Sequence, residues 1–157
     1  MLFLVRLFYL RLFLVVCFVL SAYARTPEEI KKWFMQVGME CNQEHPVSPD
    51  EMVMLHKHKL PDSENVKCLL ACVFKKPKWL SQSGKFDIDA AEKMIEEEYG
   101  GDTEKKDNSK KLFDTCRSVN DEAVTDGDAG CERSYLLTQC MIEHAPKFGF
   151  DLKHVTL

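Results

Sequence analysis

Apolar residues recur at helical spacing in six stretches of this chain, and most of these stretches open on a recognisable cap. Thr26-Pro27-Glu28-Glu29 places a hydroxyl at the N-cap, proline at the first helical position and a glutamate at the third, a reciprocal arrangement that satisfies two otherwise orphaned backbone N–H groups. Ile30, Trp33, Phe34, Val37 and Cys41 follow as one stripe. Ser48-Pro49-Asp50-Glu51 repeats the start signal before Met52, Val53 and Leu55, and Pro61 keeps that helix short. Asp62 or Ser63 opens a third helix carrying Val66, Leu69, Leu70, Val73 and Phe74, which ends at Pro77. Asp87 opens a fourth, with Ile88, Ala91, Met94, Ile95 and Tyr99 inward and Gly100-Gly101 as the stop. Asp102 or Thr103 opens a fifth, with Leu112, Phe113, Cys116 and Val119 on one side. The acidic turn Asp126-Gly127-Asp128 leads into a sixth, carrying Cys131, Tyr135, Leu136, Cys140 and Met141, and Pro146 stops it. From Lys147 to Leu157 the pattern changes. Phe148, Phe150 and Leu152 alternate, which predicts an extended tail with one apolar side, acting as ordinary core closure or as a lid over a cavity. The pattern predicts one all-α domain of about six helices, with no internal repeat or linker.

The first 24 residues form a different kind of segment. Arg6 and Arg11 are their charges, Leu12 to Leu20 is an unbroken apolar run, and Ala22-Tyr23-Ala24 is a small-x-small site of the kind signal peptidase accepts. Nine apolar residues are too few to span a bilayer, which takes about twenty. We therefore expect a signal peptide at 1–24 and a secreted mature domain at 25–157, with residues 146–157 as its tail and no membrane attachment after cleavage. Removing the leader takes away Cys17, leaving six of the seven cysteines, and leaves 19 basic against 25 acidic residues. An acidic domain of net charge −6 is unsuited to nucleic acid, because phosphate binding needs a basic surface. Secretion makes disulfides the default fate of the remaining thiols.

Those thiols are Cys41, Cys68, Cys72, Cys116, Cys131 and Cys140. Fifteen pairings are possible and spacing alone does not choose among them. Cys68 and Cys72 are i and i+4 in a helical pattern, so they share one face and can tie two elements to one helix. Cys131 and Cys140 are nine apart, half a turn net, so they leave their helix on opposite sides. Helices stapled to several neighbours make a rigid cage. A zinc finger is not completed: no C-x2-C or H-x3-5-H follows the C-x3-C pair.

Catalytic signatures are missing. G-x-S-x-G, H-E-x-x-H, a phosphate loop and a complete EF-hand loop do not occur, and neither does the Cys-Cys beside His-Asp of secreted helical phospholipases. We expect no enzyme activity, cofactor or metal. The apolar stock is unusually mixed, with methionine at 35, 39, 52, 54, 94 and 141 and phenylalanine at 34, 74, 86, 113, 148 and 150. Methionine adapts its shape and suits permissive apolar sites. Three bridges at about 3–4 kcal/mol each would offset roughly 400 Å3 of unfilled interior at about 24 cal/mol per Å3, the scale of a small-ligand pocket. That is the profile of a soluble carrier of hydrophobic small molecules.

Taken together, the pattern C-x26-C-x3-C-x43-C-x14-C-x8-C resembles the insect odorant-binding proteins of the pheromone- and general-odorant type. Its C-x3-C and C-x8-C match that family's two fixed spacings, and Gly84-Lys85-Phe86-Asp87 is similar to the family's G-K-F-D segment. The gap from Cys116 to Cys131 is a few residues longer than usual, which leaves the Val119–Gly130 loop outside what the resemblance implies. It implies bridges first to third, second to fifth and fourth to sixth: Cys41–Cys72, Cys68–Cys131 and Cys116–Cys140. It also implies six helices around a central apolar pocket that binds odorants, pheromones or similar molecules without chemistry, delivery to an olfactory receptor, and a tail folded over the pocket as a wall. Seventeen residues follow Cys140, short of the tails that form a further helix inside the cavity at low pH.

Candidate pocket residues are Met52, Leu55, Leu69, Val73, Phe74 and Trp79 in the first half, and Ile88, Met94, Phe113, Leu136, Phe148 and Phe150 in the second. His56, His58 and His144 lie near helix ends and are candidates for pH-dependent release, since imidazole titrates between about pH 7 and 5. The competing reading is a secreted, disulfide-braced helical protein that sequesters a partner through its surface. Monomer and homodimer are both compatible with the sequence.

Overall fold

The computed structural model describes residues 25–99 and 101–151, together with Arg6. The rest of the expected signal peptide (Cys17 included), Gly100 of the expected stop, and Leu152 to Leu157 of the expected lid lie outside the described residues. Among the described residues six α-helices occur: α1 (Pro27–Glu44), α2 (Pro49–His56), α3 (Glu64–Lys75), α4 (Ile88–Glu98), α5 (Thr103–Cys116) and α6 (Cys131–His144). Short 3-10 turns cover Arg117–Asp121, Gly127–Ala129 and Ala145–Phe148. An antiparallel bridge joins Leu80 to Phe86.

Local hydrogen bonds start these helices. Thr26 Oγ1 accepts the Glu29 N–H at 3.2 Å and Glu29 Oε2 accepts the Thr26 N–H at 2.7 Å. Ser48 and Glu51 make the same exchange at 3.2 and 2.8 Å. Of the two expected caps for α3, Ser63 is the one used, accepting the Val66 N–H at 3.3 Å. Asp87 caps α4 through the Ala90 N–H, and Asp102 caps α5 through the Lys105 N–H, each at 3.0 Å. A hydrogen bond from the Ser63 side chain, followed by the Ser48 backbone, holds the Glu51 carboxyl below its ordinary range. One carboxylate thus links the starts of α2 and α3.

Three disulfides join the helices. Cys41–Cys72 ties α1 to α3, Cys68–Cys131 ties α3 to α6, and Cys116–Cys140 ties the end of α5 to α6, with Cα–Cα separations of 5.7, 4.4 and 5.8 Å. The covalent path therefore runs α1–α3–α6–α5. Helix α4 is held on α5 by non-covalent contacts, among them Glu96 bridging Lys106 at 3.1 Å and Lys110 at 2.7 Å. The core that results is centred on α3 and α6, with Val66, Leu137, Cys41 and Cys116 fully buried.

Helix α6 buries a different set of residues from the one its sequence pattern suggests. Its buried residues are Cys131, Arg133, Ser134, Leu137 and Thr138, whereas Tyr135, Leu136, Cys140 and Met141 are only half-buried. The cause is its position: packed between α3, α5 and the Arg117–Asp121 turn, it is enclosed on more than one side. Two of the three buried polar side chains find a partner there, while Ser134 Oγ has none among the described residues. The Arg133 guanidinium donates to the Val119 carbonyl, and Thr138 Oγ1 donates to the Ser134 carbonyl at 2.8 Å. Helix α2 departs in the opposite sense, since Leu55 is buried but Val53 is 50% exposed. An eight-residue helix has room for little more than one inward turn.

The Cys116–Cys131 loop is built from its own contacts. Thr125 donates its N–H and its hydroxyl to the two Glu132 oxygens at 2.7 Å each, and Asp126 Oδ2 accepts the Glu132 N–H at 3.1 Å. Asp126 thereby takes a capping role for α6, whose N-cap is Gly130 with no side chain to offer. Gly130 (φ +72°) and Gly84 (φ +68°) meet at a close crossing of the α3–α4 and α5–α6 connections. A Cβ on Gly84 would sit 2.6 Å from the Gly127 carbonyl oxygen, and one on Gly130 would sit 2.6 Å from Leu80 Cδ2.

The tail is not extended where it is described. Ala145–Phe148 is a 3-10 turn, Gly149 is left-handed (φ +80°), and the Phe150 N–H returns to the Ala145 carbonyl at 3.1 Å. This Schellman-type stop follows from a glycine two residues after the turn's lysine, a signal that the Phe148-Phe150 alternation obscured.

Candidate ligand-binding core

The α3–α4 connection carries an aromatic side chain into the middle of the helices. Pro77 cannot continue α3, and Lys78 adopts a left-handed φ of +65°, unusual for a residue with a Cβ. The next residues fold back as a tight loop: the Leu80 N–H reaches the Phe74 carbonyl at 3.2 Å, and the Asp87 N–H reaches the Trp79 carbonyl at 2.7 Å. Asn120 holds the far side of this loop. Its amide donates to the Phe86 carbonyl and its oxygen accepts the Phe86 N–H, both at 2.9 Å.

The Trp79 ring thereby lies among rings from three helices. Phe74 of α3 stacks on it with centroids 6.0 Å apart, Phe113 of α5 meets it edge-on at 5.5 Å, and Phe34 of α1 at 6.1 Å. The contact continues through Trp33 on Phe34 at 4.9 Å and Phe86 on Phe113 at 5.9 Å, so six rings touch in series. Two indole nitrogens belong to this set, those of Trp33 and Trp79. Trp79 Nε1 is buried and has no hydrogen-bond partner among the described residues. An indole nitrogen can only donate, and burying such a donor unpaired costs about 1–3 kcal/mol. At the outer end of the series, the Arg25 guanidinium lies 5.2 Å from the Trp33 ring, and its Nε donates to Glu98 Oε1 at 2.7 Å.

Of the expected pocket residues, Leu55, Leu69, Phe74, Ile88 and Phe113 are buried in the common core, and Val73, Trp79, Leu136, Phe148 and Phe150 pack half-buried against it. Met52 and Met94 are half-buried and stand outside that core cluster. Sequence reading passed over Leu80, Phe86, Trp33 and Phe34 as members of this region. The G-K-F-D motif held the signal for Phe86. The histidines are not gathered. His56 and His58 lie at the α2–α3 connection, and His144 at the end of α6 places Nδ1 3.0 Å from Lys147 Nζ. Glu64, Cys68 and Cys131 bring three potential ligand atoms within 4.8 Å, but the two sulfurs are bonded to each other and offer no thiolate.

The model of the PBP/GOBP family matches residues 23–144, most of the chain. The chain belongs to the PBP/GOBP family. General odorant-binding protein 19d of Drosophila melanogaster is 27% identical over 131 residues, spanning 83% of this chain and 84% of that protein. Among solved structures, the odorant-binding protein dmelOBP28a of the same fly is 26% identical with a TM-score of 0.59, over 78% of this chain and 97% of that one. Odorant Binding Protein 7 of Anopheles gambiae, solved with four disulfide bridges and in complex with an azo compound, shares the fold at 20% identity and a TM-score of 0.61, over 79% of this chain and 94% of that one. PBP/GOBP proteins are non-enzymatic binders of small hydrophobic ligands, secreted in insects. Among the described residues no helix is long and apolar enough to cross a membrane.

Proposed function

We propose that this PBP/GOBP protein is a secreted carrier that takes a small hydrophobic molecule, an odorant, pheromone or similar compound, into its apolar interior and moves it through aqueous fluid to a receptor. The observation that carries the reading is the ring series around Trp79, assembled from α1, α3, α5 and the α3–α4 loop inside a covalently cross-linked frame. Aromatic faces supply large apolar contact area with little side-chain entropy to lose. The cross-links hold the helices in place whether or not a guest adds its own contacts. In this reading Phe148 and Phe150 close one wall, and residues 1–24 are removed as a signal peptide. The engagement of Arg25, the first residue after that cleavage, with Glu98 and Trp33 supports the boundary.

The test is displacement of an apolar fluorescent probe from fully oxidised protein by a panel of volatile alcohols, aldehydes and fatty acids. Micromolar displacement by part of the panel is expected. Failure of every compound to displace the probe would remove the carrier reading. The surface-acting alternative draws on Met35 and Met39, 47% and 64% exposed on α1, and it predicts that failure.

A further inference from the structure

We infer that the Trp79 indole N–H is the hydrogen-bond donor that selects the ligand's polar group, so the preferred guests are hydrophobic molecules carrying an acceptor oxygen (ketones, aldehydes or esters) over hydrocarbons of the same length. The inference rests on the carrier reading and deepens it. Three observations meet at one atom. Phe74, Phe113 and Phe34 surround the Trp79 ring with faces and edges that accept no ordinary hydrogen bond. Nε1 is buried and without a partner among the described residues. The ring is delivered there by backbone that a surface loop would not need: a left-handed Lys78, the Trp79 carbonyl bound by the Asp87 N–H, and the Leu80–Phe86 bridge.

Phenylalanine would give the same stacking without the donor. A buried tryptophan ordinarily finds a partner for its N–H, and apolar ligand sites characteristically hold a small number of placed polar groups that fix orientation. A carbonyl oxygen arriving with the guest would supply what the protein leaves open. A hydrocarbon would bury the donor and leave it unpaired, and this penalty is what separates the two ligand classes.

The experiment uses 2-undecanone and undecane as a matched pair, with probe displacement as the readout. Wild-type protein should favour the ketone, and Trp79→Phe should lower the ketone-to-alkane affinity ratio by about 2- to 10-fold. Taking the ratio cancels the packing change common to both ligands. An independent readout does not depend on the variant folding. The chain has two tryptophans, so two indole N–H resonances are expected in a nitrogen-15 correlation spectrum of the wild-type protein. One should move downfield with 2-undecanone and not with undecane. A ratio unchanged in Trp79→Phe, or indole resonances that respond equally to both compounds, would overturn the inference and leave the carrier reading standing. Absence of displacement by both compounds would remove the two together.

Discussion

The crossing of Gly84 and Gly130 is the most exacting feature of this fold to test. In Gly84→Ala the new methyl carbon would lie 2.6 Å from the Gly127 carbonyl oxygen, 3.2 Å from Gly130 Cα and 3.3 Å from the Asp128 carbonyl carbon, all of them backbone atoms. The residue also sits at φ +68°, which costs an L-residue about 1–2 kcal/mol. Overpacking against immobile atoms adds about 1–3 kcal/mol. Gly84→Ala should therefore destabilise by about 2–5 kcal/mol, or about 6–20 °C in melting temperature for a domain of this size. Gly130→Ala has its tightest contact with Leu80 Cδ2, a side-chain atom able to give, and a looser one of 3.1 Å with the Gly84 Cα, and should cost slightly less. Two controls separate strain from clash. Gly127 has φ +56° and open space, so Gly127→Ala should show the strain alone. Gly38 lies inside α1 with nothing within 4 Å, so Gly38→Ala should stabilise by about 1 kcal/mol through helix propensity. Thermal unfolding of the oxidised proteins by circular dichroism measures all four. If Gly84→Ala is no worse than Gly127→Ala, the two connections do not cross as described and the placement of Trp79 loses its support.

Three further outcomes follow from the geometry. Removing single bridges by paired Cys→Ala changes should cost about 4.3 kcal/mol for Cys68–Cys131, 3.7 for Cys41–Cys72 and 3.4 for Cys116–Cys140, from loops of 63, 31 and 24 residues. Denaturant titration showing Cys68–Cys131 as the least costly to lose would contradict the chain-entropy ordering. Asn120→Ala deletes both hydrogen bonds to the Phe86 backbone and should cost about 1–3 kcal/mol, with amide exchange accelerating at Phe86. Unchanged exchange there would mean the loop is held otherwise. Glu29, Glu51, Glu96, Asp102 and Glu132 are held below their ordinary values of 4.5 for Glu and 3.8 for Asp, chiefly by hydrogen bonds from the Thr26 backbone, the Ser63 side chain, the Lys110 side chain, the Lys105 backbone and the Thr125 side chain respectively. A lowered folded-state value means stabilisation that is complete above the ordinary value and is lost as pH falls through the folded one. These groups should leave melting temperature level from about pH 7 to 5 and lower it below about pH 4. A melting temperature held to about pH 3 would refute their contribution.

Most helix starts were legible because their causes are local. A capping box closes between residues three apart, so Thr26–Glu29 and Ser48–Glu51 announce α1 and α2 wherever the chain goes afterwards. The cysteine grid likewise carried the family pattern in its spacing, and the pairing came from the resemblance, not from local geometry. The misses share one physical character. Asn120 clamps Phe86 from 34 residues away, and Gly84 meets Gly130 across 46. Neither partner marks the other in the sequence. Helix α6 reads as amphipathic from its own residues, yet burial of Arg133, Ser134 and Thr138 depends on what encloses it.

The sequence by itself determined an acidic, mainly helical, six-cysteine domain, because caps, proline stops and apolar periodicity act within a few turns of chain. Tertiary structure alone decided which rings surround Trp79 and that, among the described residues, its N–H has no partner. Those facts depend on three helices and a loop arriving at one place, and no local hydrogen bond or spacing encodes that arrival.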